Sequence, residues 1–275
     1  MRRSVESDMS LSRILAVANQ KGGVGKTTTV VSVATNVALQ GYRTLLIDLD
    51  PQGNATTGLG VDPRTLESSS YNVLVQQLPI SAARVQTVVE GLDLVPSTLD
   101  LAGAEVELVP MFSRELRLRS AISLVSSEYD YIFIDCPPSL GMLTVNSLAA
   151  ATEVIVPLQC EYYALEGLGQ LLNNVGLVQD SLNADLKVSS IVLVMFDART
   201  RLAEQVAAEV REHFGDLVLE TVVPRSVRLS EAPSYGKPVE LYDPSSTGAF
   251  AYREVTKEII AQQVTDPDIP SERSW

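Results

Sequence analysis

A glycine-rich segment near the start of the chain contains the residue types that hold phosphate groups. Its residues are Gly22, Gly23, Val24, Gly25, Lys26, Thr27 and Thr28. Glycines let backbone N–H groups approach phosphate oxygens, because a side chain would block that approach. We expect Lys26 to bind the β- and γ-phosphates, Thr27 to coordinate Mg²⁺ and Thr28 to reach the α-phosphate. The segment predicts a nucleotide site, and a glycine turn that only caps a helix is the alternative.

Carboxylates follow two predicted strands. Asp48 and Asp50 come at the end of the apolar run 44–47, and Asp135 directly follows the apolar residues 131–134. A carboxylate beside phosphates can orient a water molecule or hold a metal-bound one. We expect Asp135 to bind Mg²⁺ through water and Asp48 to contribute to the same metal site. The alternatives are a helix cap or turn for Asp48 and Asp50, and a strand-end cap for Asp135.

Strands and helices must alternate to position these residues. Short apolar runs predict strands at 13–19, 44–47, 92–95, 131–134, 154–158 and 188–195, and periodicity predicts helices at 26–40, 113–125, 142–150 and 165–178. A strand, a helix and a second strand imply a right-handed parallel unit, and strands this apolar are expected where helices cover both sheet faces. We predict an α/β fold with a doubly wound, mainly parallel sheet flanked by helices. Residues 62–90 show weaker periodicity.

Composition limits the possible function classes. Of 275 residues, 45% are hydrophobic and 20% are charged, which is ordinary for a folded chain. The net charge of -13 restricts any DNA contact to a local basic patch. Cys136 and Cys160 form no CxxC pair, which argues against disulfide scaffolds, zinc ribbons and redox motifs. The chain has neither a secretory signal nor an apolar run of roughly 20 residues, so we expect a soluble, cytoplasmic protein.

The ends of the chain differ from its middle. We expect residues 1–12 to form a flexible N-terminal arm and residues 13–262 to form a single domain. Residues 263–275 contain prolines and several acids, so we expect a flexible C-terminal tail.

The phosphate segment departs from the common GxxxxGK[ST] form. Gln20 replaces the first glycine, and an additional lysine, Lys21, precedes the glycine pair. Residues 19–28 resemble the deviant phosphate loop (Walker A motif) of the ParA/MinD branch of P-loop ATPases. The sequences Leu-Ile-Asp-Leu-Asp-Pro-Gln-Gly-Asn at 46–54, Asp-Cys-Pro-Pro at 135–138 and Arg-Leu-Ser-Glu-Ala-Pro-Ser at 228–234 are similar to ParA-type partition ATPases of the Soj kind. The resemblance implies a P-loop NTPase fold and covers most of the chain.

This resemblance implies a function. ATP and Mg²⁺ would close a homodimer, the dimer would bind DNA without sequence preference on the nucleoid, and slow hydrolysis to ADP would be stimulated by a centromere-binding ParB-type partner. Lys21 would cross the dimer to the partner's phosphates, and Asp50 would position the attacking water, so Lys21, Lys26 and Asp50 are the expected catalytic residues. Pro224 and Ser226 would border the adenine, although family members commonly have asparagine where Ser226 stands.

Basic residues near the C-terminal third are candidates for DNA contact. Arg225, Arg228 and Lys237 are opposed only by Glu231 within residues 225–237, which gives three minus one, or +2. Such a patch suits a phosphate backbone. Arg199 resembles another family arginine that is implicated in non-specific DNA binding. The alternative for each arginine is surface solvation or ion pairing.

Three other functions fit the sequence less well. A MinD-like membrane-associated ATPase that positions cell division would need a basic amphipathic C-terminal helix, whereas residues 261–275 hold three acids, two prolines and a lone arginine. We therefore expect no stable membrane association. An iron–sulfur electron donor of the nitrogenase reductase type would need differently spaced cysteines. A metabolic P-loop enzyme that phosphorylates a small acid would need a substrate pocket that nothing in the sequence marks.

Overall fold

The computed structural model describes residues 12–162 and 164–262. Its strands are β1 (Arg13–Val17), β2 (Thr44–Asp48), β3 (Val85–Gln86), β4 (Leu92–Val95), β5 (Tyr131–Asp135), β6 (Glu153–Gln159) and β7 (Lys187–Val194). Its α-helices are α1 (Lys26–Leu39), α2 (Asn54–Gly58), α3 (Ser70–Gln76), α4 (Ile80–Ala83), α5 (Leu101–Glu107), α6 (Arg117–Ser123), α7 (Met142–Ala150), α8 (Ala164–Ser181), α9 (Arg201–Phe214), α10 (Val227–Glu231), α11 (Val239–Tyr242) and α12 (Thr247–Ala261).

The strands form one sheet in the order β3-β4-β2-β5-β1-β6-β7. All neighbours pair in parallel except β3, which runs antiparallel to β4. The predicted doubly wound, mainly parallel α/β sheet is therefore confirmed. β1 lies between β5 and β6, so the chain leaves β1 toward one half of the sheet and later returns to build the other half. Ligands bind beyond the carboxyl ends of strands at such a switch point.

Residues of the central strands alternate between two apolar layers, as the two-residue period of a strand requires. Ile132 and Ile134 of β5 belong to the layer that contains residues of α6, α7 and α8. Phe133 belongs to the opposite layer, where it packs with residues of α1 and α12. The strands are buried on both sides, which fixes the height of their carboxyl ends and of the loops that follow them.

The structure differs from the predictions mainly outside these central strands. The region with weak periodicity contains α3, α4 and the two-residue strand β3, which is too short to show a pattern. The predicted helix at 113–125 begins as a 3₁₀ turn at Arg114–Leu116 and becomes α-helical only from Arg117 to Ser123. Ser113 has a φ of 50°, a left-handed backbone that excludes it from the helix.

The predicted arm and tail lie almost entirely outside the described residues. Ser12, which the prediction placed in the arm, donates its hydroxyl to the carbonyl oxygen of Tyr129 at 2.8 Å. Its hydroxyl also contacts the carbonyl oxygen of Ser126. These bonds fasten the chain to the loop before β5, one residue ahead of β1.

Candidate active site

The glycine-rich loop connects β1 to α1 at the carboxyl edge of the sheet. Gly25 is the N-cap of α1 with a φ of 77°, and Gly23 has a φ of 74°. This left-handed backbone favours glycine. Among residues 12–162 and 164–262, no side chain caps α1 and its first turn holds no acid, so its N–H groups have no side-chain acceptor there. A free helix N-terminus with glycine ahead of it is an anion-binding arrangement.

A cavity of about 630 Å³ opens beside this loop. The loop residues that line it are Gly22, Gly23, Gly25, Lys26, Thr27 and Thr28. Asp50 lines it from the segment after β2, and Pro224, Arg225 and Ser226 line it from the segment before α10. Val24 is buried beneath the loop and does not line the cavity. The fold therefore brings together the residues predicted for phosphate, water and adenine contacts.

The two loop lysines have different surroundings. Lys26 is buried, and its Nζ donates a hydrogen bond of 3.1 Å to the carbonyl oxygen of Lys21. Burial lowers the pKa of Lys26, and the charge of Asp135 opposes that shift. The side chain of Lys21 is 48% exposed and forms an ion pair of 2.5 Å with Glu161. Lys21 does not line the cavity of its own chain.

Asp48 and Asp50 are both buried but use their carboxylates differently. Oδ1 of Asp48 accepts from the backbone N–H of Asp50 at 3.1 Å, and Oδ2 accepts from N and Oγ1 of Thr56 at 2.9 and 2.7 Å. Burial raises the pKa of Asp48 and the bonds from Thr56 oppose that shift. Oδ1 of Asp50 accepts from the N–H of Gln52 at 2.9 Å. The bonds of Asp48 match the helix-capping alternative, and its metal role stays a prediction.

Asp135 is the least satisfied polar group near the cavity. It is fully buried, and neither carboxylate oxygen has a hydrogen-bond partner among the described residues. Burial, and then the charge of Asp48, raise the pKa of Asp135 well above its ordinary value. An unpaired buried carboxylate is costly, and a hydrated divalent cation would supply the missing partner. Asp135 with the Thr27 hydroxyl therefore fits a magnesium site that is completed by water and phosphate oxygens.

No metal site is built from protein side chains alone in the described part of the chain. Within residues 12–162 and 164–262, no three His, Cys, Asp or Glu side chains form a group that could hold an ion. Cys136 and Cys160 are both buried, and burial raises the pKa of each thiol. A raised pKa keeps a thiol protonated near neutral pH, so neither cysteine is poised as a nucleophile.

The predicted DNA-binding residues fall into two groups. Arg199 forms a bidentate pair with Asp197, at 2.8 and 2.7 Å. Arg228 pairs with Glu231 at 2.9 Å and with Asp243 at 3.2 Å. Both arginines are therefore ion-paired in this structure, as the alternative to a DNA contact predicted, although such exposed pairs are weak enough for a phosphate to replace the acid.

Arg225 and Lys237 differ from these arginines. Both are exposed at the edge of the cavity, and neither has an ion-pair partner among the described residues. They are the unpaired members of the predicted basic patch. A DNA role for the four residues stays a prediction.

Comparison with known proteins assigns the family. Residues 12–188, more than half of the chain, match the family described as AAA domain. The sporulation initiation inhibitor protein Soj of Bacillus subtilis is 55% identical over 251 residues, which cover 91% of this chain and 99% of that protein. The chromosome partitioning protein ParA of Myxococcus xanthus is 50% identical over 264 residues, covering 96% of this chain and 93% of that protein. The chain belongs to the Soj/ParA family.

A solved structure extends the comparison of this Soj/ParA-family chain to bound ligands. The structure titled cobyrinic acid a,c-diamide synthase from Mycobacterium smegmatis, with bound ATP analog and magnesium, is 43% identical. It has a TM-score of 0.80 and covers 91% of this chain and 95% of that one. The same fold therefore holds a nucleotide and magnesium in that protein.

Sequence reasoning missed several neighbours of the site in this Soj/ParA-family chain. Met195, just after β7, has a φ of 51°, and its Cε lies 3.7 Å from the position that a Cβ on Gly25 would take. The hydroxyl of Tyr252 lies 3.0 Å from Oγ1 of Thr29 at the floor of the cavity. Glu161 was missed because its contact with Lys21 joins positions 140 residues apart. The left-handed backbone of Met195 beside the phosphate loop is the kind of strain that occurs at functional sites, but its residue type gives no sign of it in the sequence.

Proposed function

We propose that this protein is a partition ATPase that binds ATP with Mg²⁺ and pairs with a second copy through the nucleotide. The pair binds DNA without sequence preference and hydrolyses ATP slowly until a ParB-type partner stimulates it. The observation that carries the proposal is the convergence of Lys26, Thr27 and Asp50 on one cavity, with Lys21 outside it. The Soj and ParA relatives, at 55% and 50% identity, support the partition role.

The nucleotide would bind with its phosphates against the glycine loop. The N–H groups of α1 and the Lys26 ammonium would hold the phosphate oxygens, and Lys26 would exchange its bond with the Lys21 carbonyl for a stronger one to an anion. Thr27 and Asp135 would hold Mg²⁺, which supplies charge neutralisation when it is bound. Pro224 and Ser226, which line the same cavity, would border the adenine base.

Asp50 would orient the water that attacks the γ-phosphate. One of its oxygens is fixed by the N–H of Gln52, and Oδ2 has no hydrogen bond among the described residues. Asp50 is 7% exposed and lines the cavity together with Lys26. A fixed carboxylate with one free oxygen can accept a hydrogen bond from water and aim it, which lowers the entropic part of the barrier.

Pairing of two chains would complete the site. Lys21 extends from the same loop that holds the phosphates, yet it points away from the cavity of its own chain. In a face-to-face pair of chains, its ammonium can reach the partner's phosphates and neutralise charge that develops during hydrolysis. Nucleotide binding and dimerisation would then be one event.

DNA binding would follow from pairing. The chain carries a net charge of -13, and within its described part the unpaired basic residues of the predicted patch are Arg225 and Lys237, so we expect a single copy to offer a small basic area. Two copies would double that area, and each added phosphate contact releases counterions. We therefore expect DNA to be held by the ATP-bound pair and released after hydrolysis.

The alternatives receive less support. A MinD-like function would need a basic amphipathic C-terminal helix, whereas residues 261–275 hold three acids and a lone arginine. No helix within residues 12–162 and 164–262 has the length and apolar character that crossing a bilayer requires. The relative titled as a diamide synthase is 43% identical, below the 55% of Soj. Partition is the function that we favour.

DNA retention at low salt tests the proposal. The purified chain is incubated with ATP and Mg²⁺ or with ADP, and retention of a non-specific duplex is measured for wild type, Lys21→Ala and Lys257→Ala. Lys257 is the matched control because it is an exposed, ion-paired lysine on α12. We expect wild type and Lys257→Ala to retain DNA with ATP and not with ADP. We expect Lys21→Ala to retain no DNA with either nucleotide. Equal retention by wild type and Lys21→Ala would refute the proposal.

A further inference from the structure

The side chain of Lys21 is held by its own subunit. Its Nζ lies 2.5 Å from Oε2 of Glu161, which follows β6, the strand next to β1. Oε1 of Glu161 accepts a hydrogen bond of 2.5 Å from Nε2 of Gln159. The glutamate is therefore oriented by a second residue, and it presents one oxygen to the lysine.

The backbone of the loop is fixed independently of this ion pair. Nδ2 of Asn19 donates to the carbonyl oxygen of Pro157 at 2.7 Å, and Oδ1 of Asn19 accepts from the N–H of Lys21 at 3.0 Å. Loss of the Glu161 charge should therefore leave the loop in place. It should change only the positions that the Lys21 ammonium occupies.

The pair is accessible and can be exchanged. The side chains of Lys21 and Glu161 are 48% and 46% exposed. Ion pairs in such surroundings are weak because water and salt screen them. A triphosphate offers several negative charges and many acceptor oxygens, against one carboxylate, so it can take the lysine from Glu161 when it is brought within reach.

We propose that Glu161 is a positioning residue that holds Lys21 on its own subunit and so raises the protein concentration at which the ATP-bound chain pairs. This inference rests on the proposed function, in which Lys21 reaches across the dimer. Each pairing event breaks two Lys21–Glu161 contacts, one in each copy. The contact therefore opposes pairing when the partner subunit holds no triphosphate.

The test measures the concentration midpoint of dimerisation in ATP and Mg²⁺ by sedimentation, with Asp50→Ala as the background that blocks hydrolysis. Glu161→Gln removes the charge and should lower the midpoint roughly three- to tenfold, since two exposed pairs no longer need to break. Glu161→Asp keeps the charge, so its midpoint should lie close to that of the Asp50→Ala protein. Glu166→Gln on α8 removes the same charge from a nearby exposed glutamate and should leave the midpoint unchanged.

Two further measurements separate positioning from a general structural or charge effect. The affinity of the single subunit for ADP should be the same in the background and in Glu161→Gln, because Lys21 does not line the cavity. In a protein that also carries Lys21→Ala, which should not pair in ATP, Glu161→Gln should not restore pairing, because its effect acts through the lysine.

The outcomes are distinguishable. An unchanged or higher midpoint in Glu161→Gln, or a gain that persists without Lys21, would overturn the inference while the proposed function stands. If the background itself fails to pair in ATP at every concentration, the proposed function is wrong and the inference falls with it. A lower midpoint that requires Lys21 supports both.

Discussion

Asp48 and Thr56 are joined by two hydrogen bonds that end on one carboxylate oxygen, from the backbone N at 2.9 Å and from Oγ1 at 2.7 Å. The Thr56 hydroxyl in turn accepts from the N–H of Ser97 at 2.8 Å. This buried chain of bonds ties β2, the start of α2 and the loop after β4 together. It fixes the segment that carries Asp50 next to the phosphate loop.

Thr56→Val should therefore destabilise the protein. The substitution keeps the volume but leaves the Ser97 N–H without its acceptor and Asp48 with one bond fewer, at a cost of about 1 to 3 kcal/mol. Urea denaturation measures the change in the free energy of unfolding. Thr57→Val is the matched control, because Thr57 is exposed. Equal stability of the two variants would contradict the structural role of the bond chain.

Glu105 caps α7 from a neighbouring helix. Its Oε2 accepts from the N–H of Met142 at 2.6 Å, and a Cβ on Gly141 would overlap its carboxylate. Glu105→Ala should cost about 1 kcal/mol through loss of the cap and of the charge at the helix N-terminus. Gly141→Ala should cost a similar amount, because the carboxylate must move away.

The double variant Glu105→Ala with Gly141→Ala decides whether this reasoning holds. Both changes remove the same interaction, so the double variant should be about as stable as either single variant. Thermal or urea unfolding of the four proteins completes the cycle. Additive losses would show that the two residues act independently and that the cap is not their shared role.

Glu240 is a buried carboxyl group whose ionisation opposes folding. Its Oε1 accepts from Nδ2 of Asn36 at 3.0 Å, whereas Oε2 has no hydrogen-bond partner among the described residues. Burial raises the pKa of Glu240 from 4.5 to about 8, and hydrogen bonds from Ser32 and Asn36, together with the charge of Arg253, oppose the shift. The folded state therefore binds this proton more tightly than the unfolded state does.

The stability that this proton provides should be complete below about pH 4.5 and should disappear as the pH rises through about 8. Each pKa unit corresponds to about 1.4 kcal/mol, so wild type should lose on the order of a few kcal/mol across this window. Glu240→Gln should flatten that loss in urea denaturation at successive pH values. Glu67→Gln, an exposed glutamate, should behave as wild type. A parallel pH profile for Glu240→Gln and wild type would refute the assignment.

The central part of the fold could be predicted from the sequence because strands that are buried on both faces consist of short apolar runs. β4 and α7 have the predicted bounds, and the other central strands differ from prediction by no more than two residues at an end. The pairing of β3 with β4 could not be predicted, because a two-residue strand has no period and its partner is chosen by tertiary contacts.

The site was predictable where one segment carries it and unpredictable where distant segments meet. The phosphate loop is local, so its glycines and Lys26 revealed both the turn and the ligand class. The bonds that engage Asp48, Arg228 and Lys21 each depend on where a side chain from another segment lies in three dimensions. A residue type and its position show that a charge is present, but they do not show whether that charge is already neutralised.

Sedimentation of the Asp50→Ala protein tests the central claim most directly, namely that bound ATP joins two copies through Lys21. We expect a dimer with ATP and Mg²⁺, a single subunit with ADP, and a single subunit with ATP when Lys21→Ala is added, although that variant still binds nucleotide. A single subunit with ATP at every concentration, or equal pairing with and without Lys21, would contradict the account.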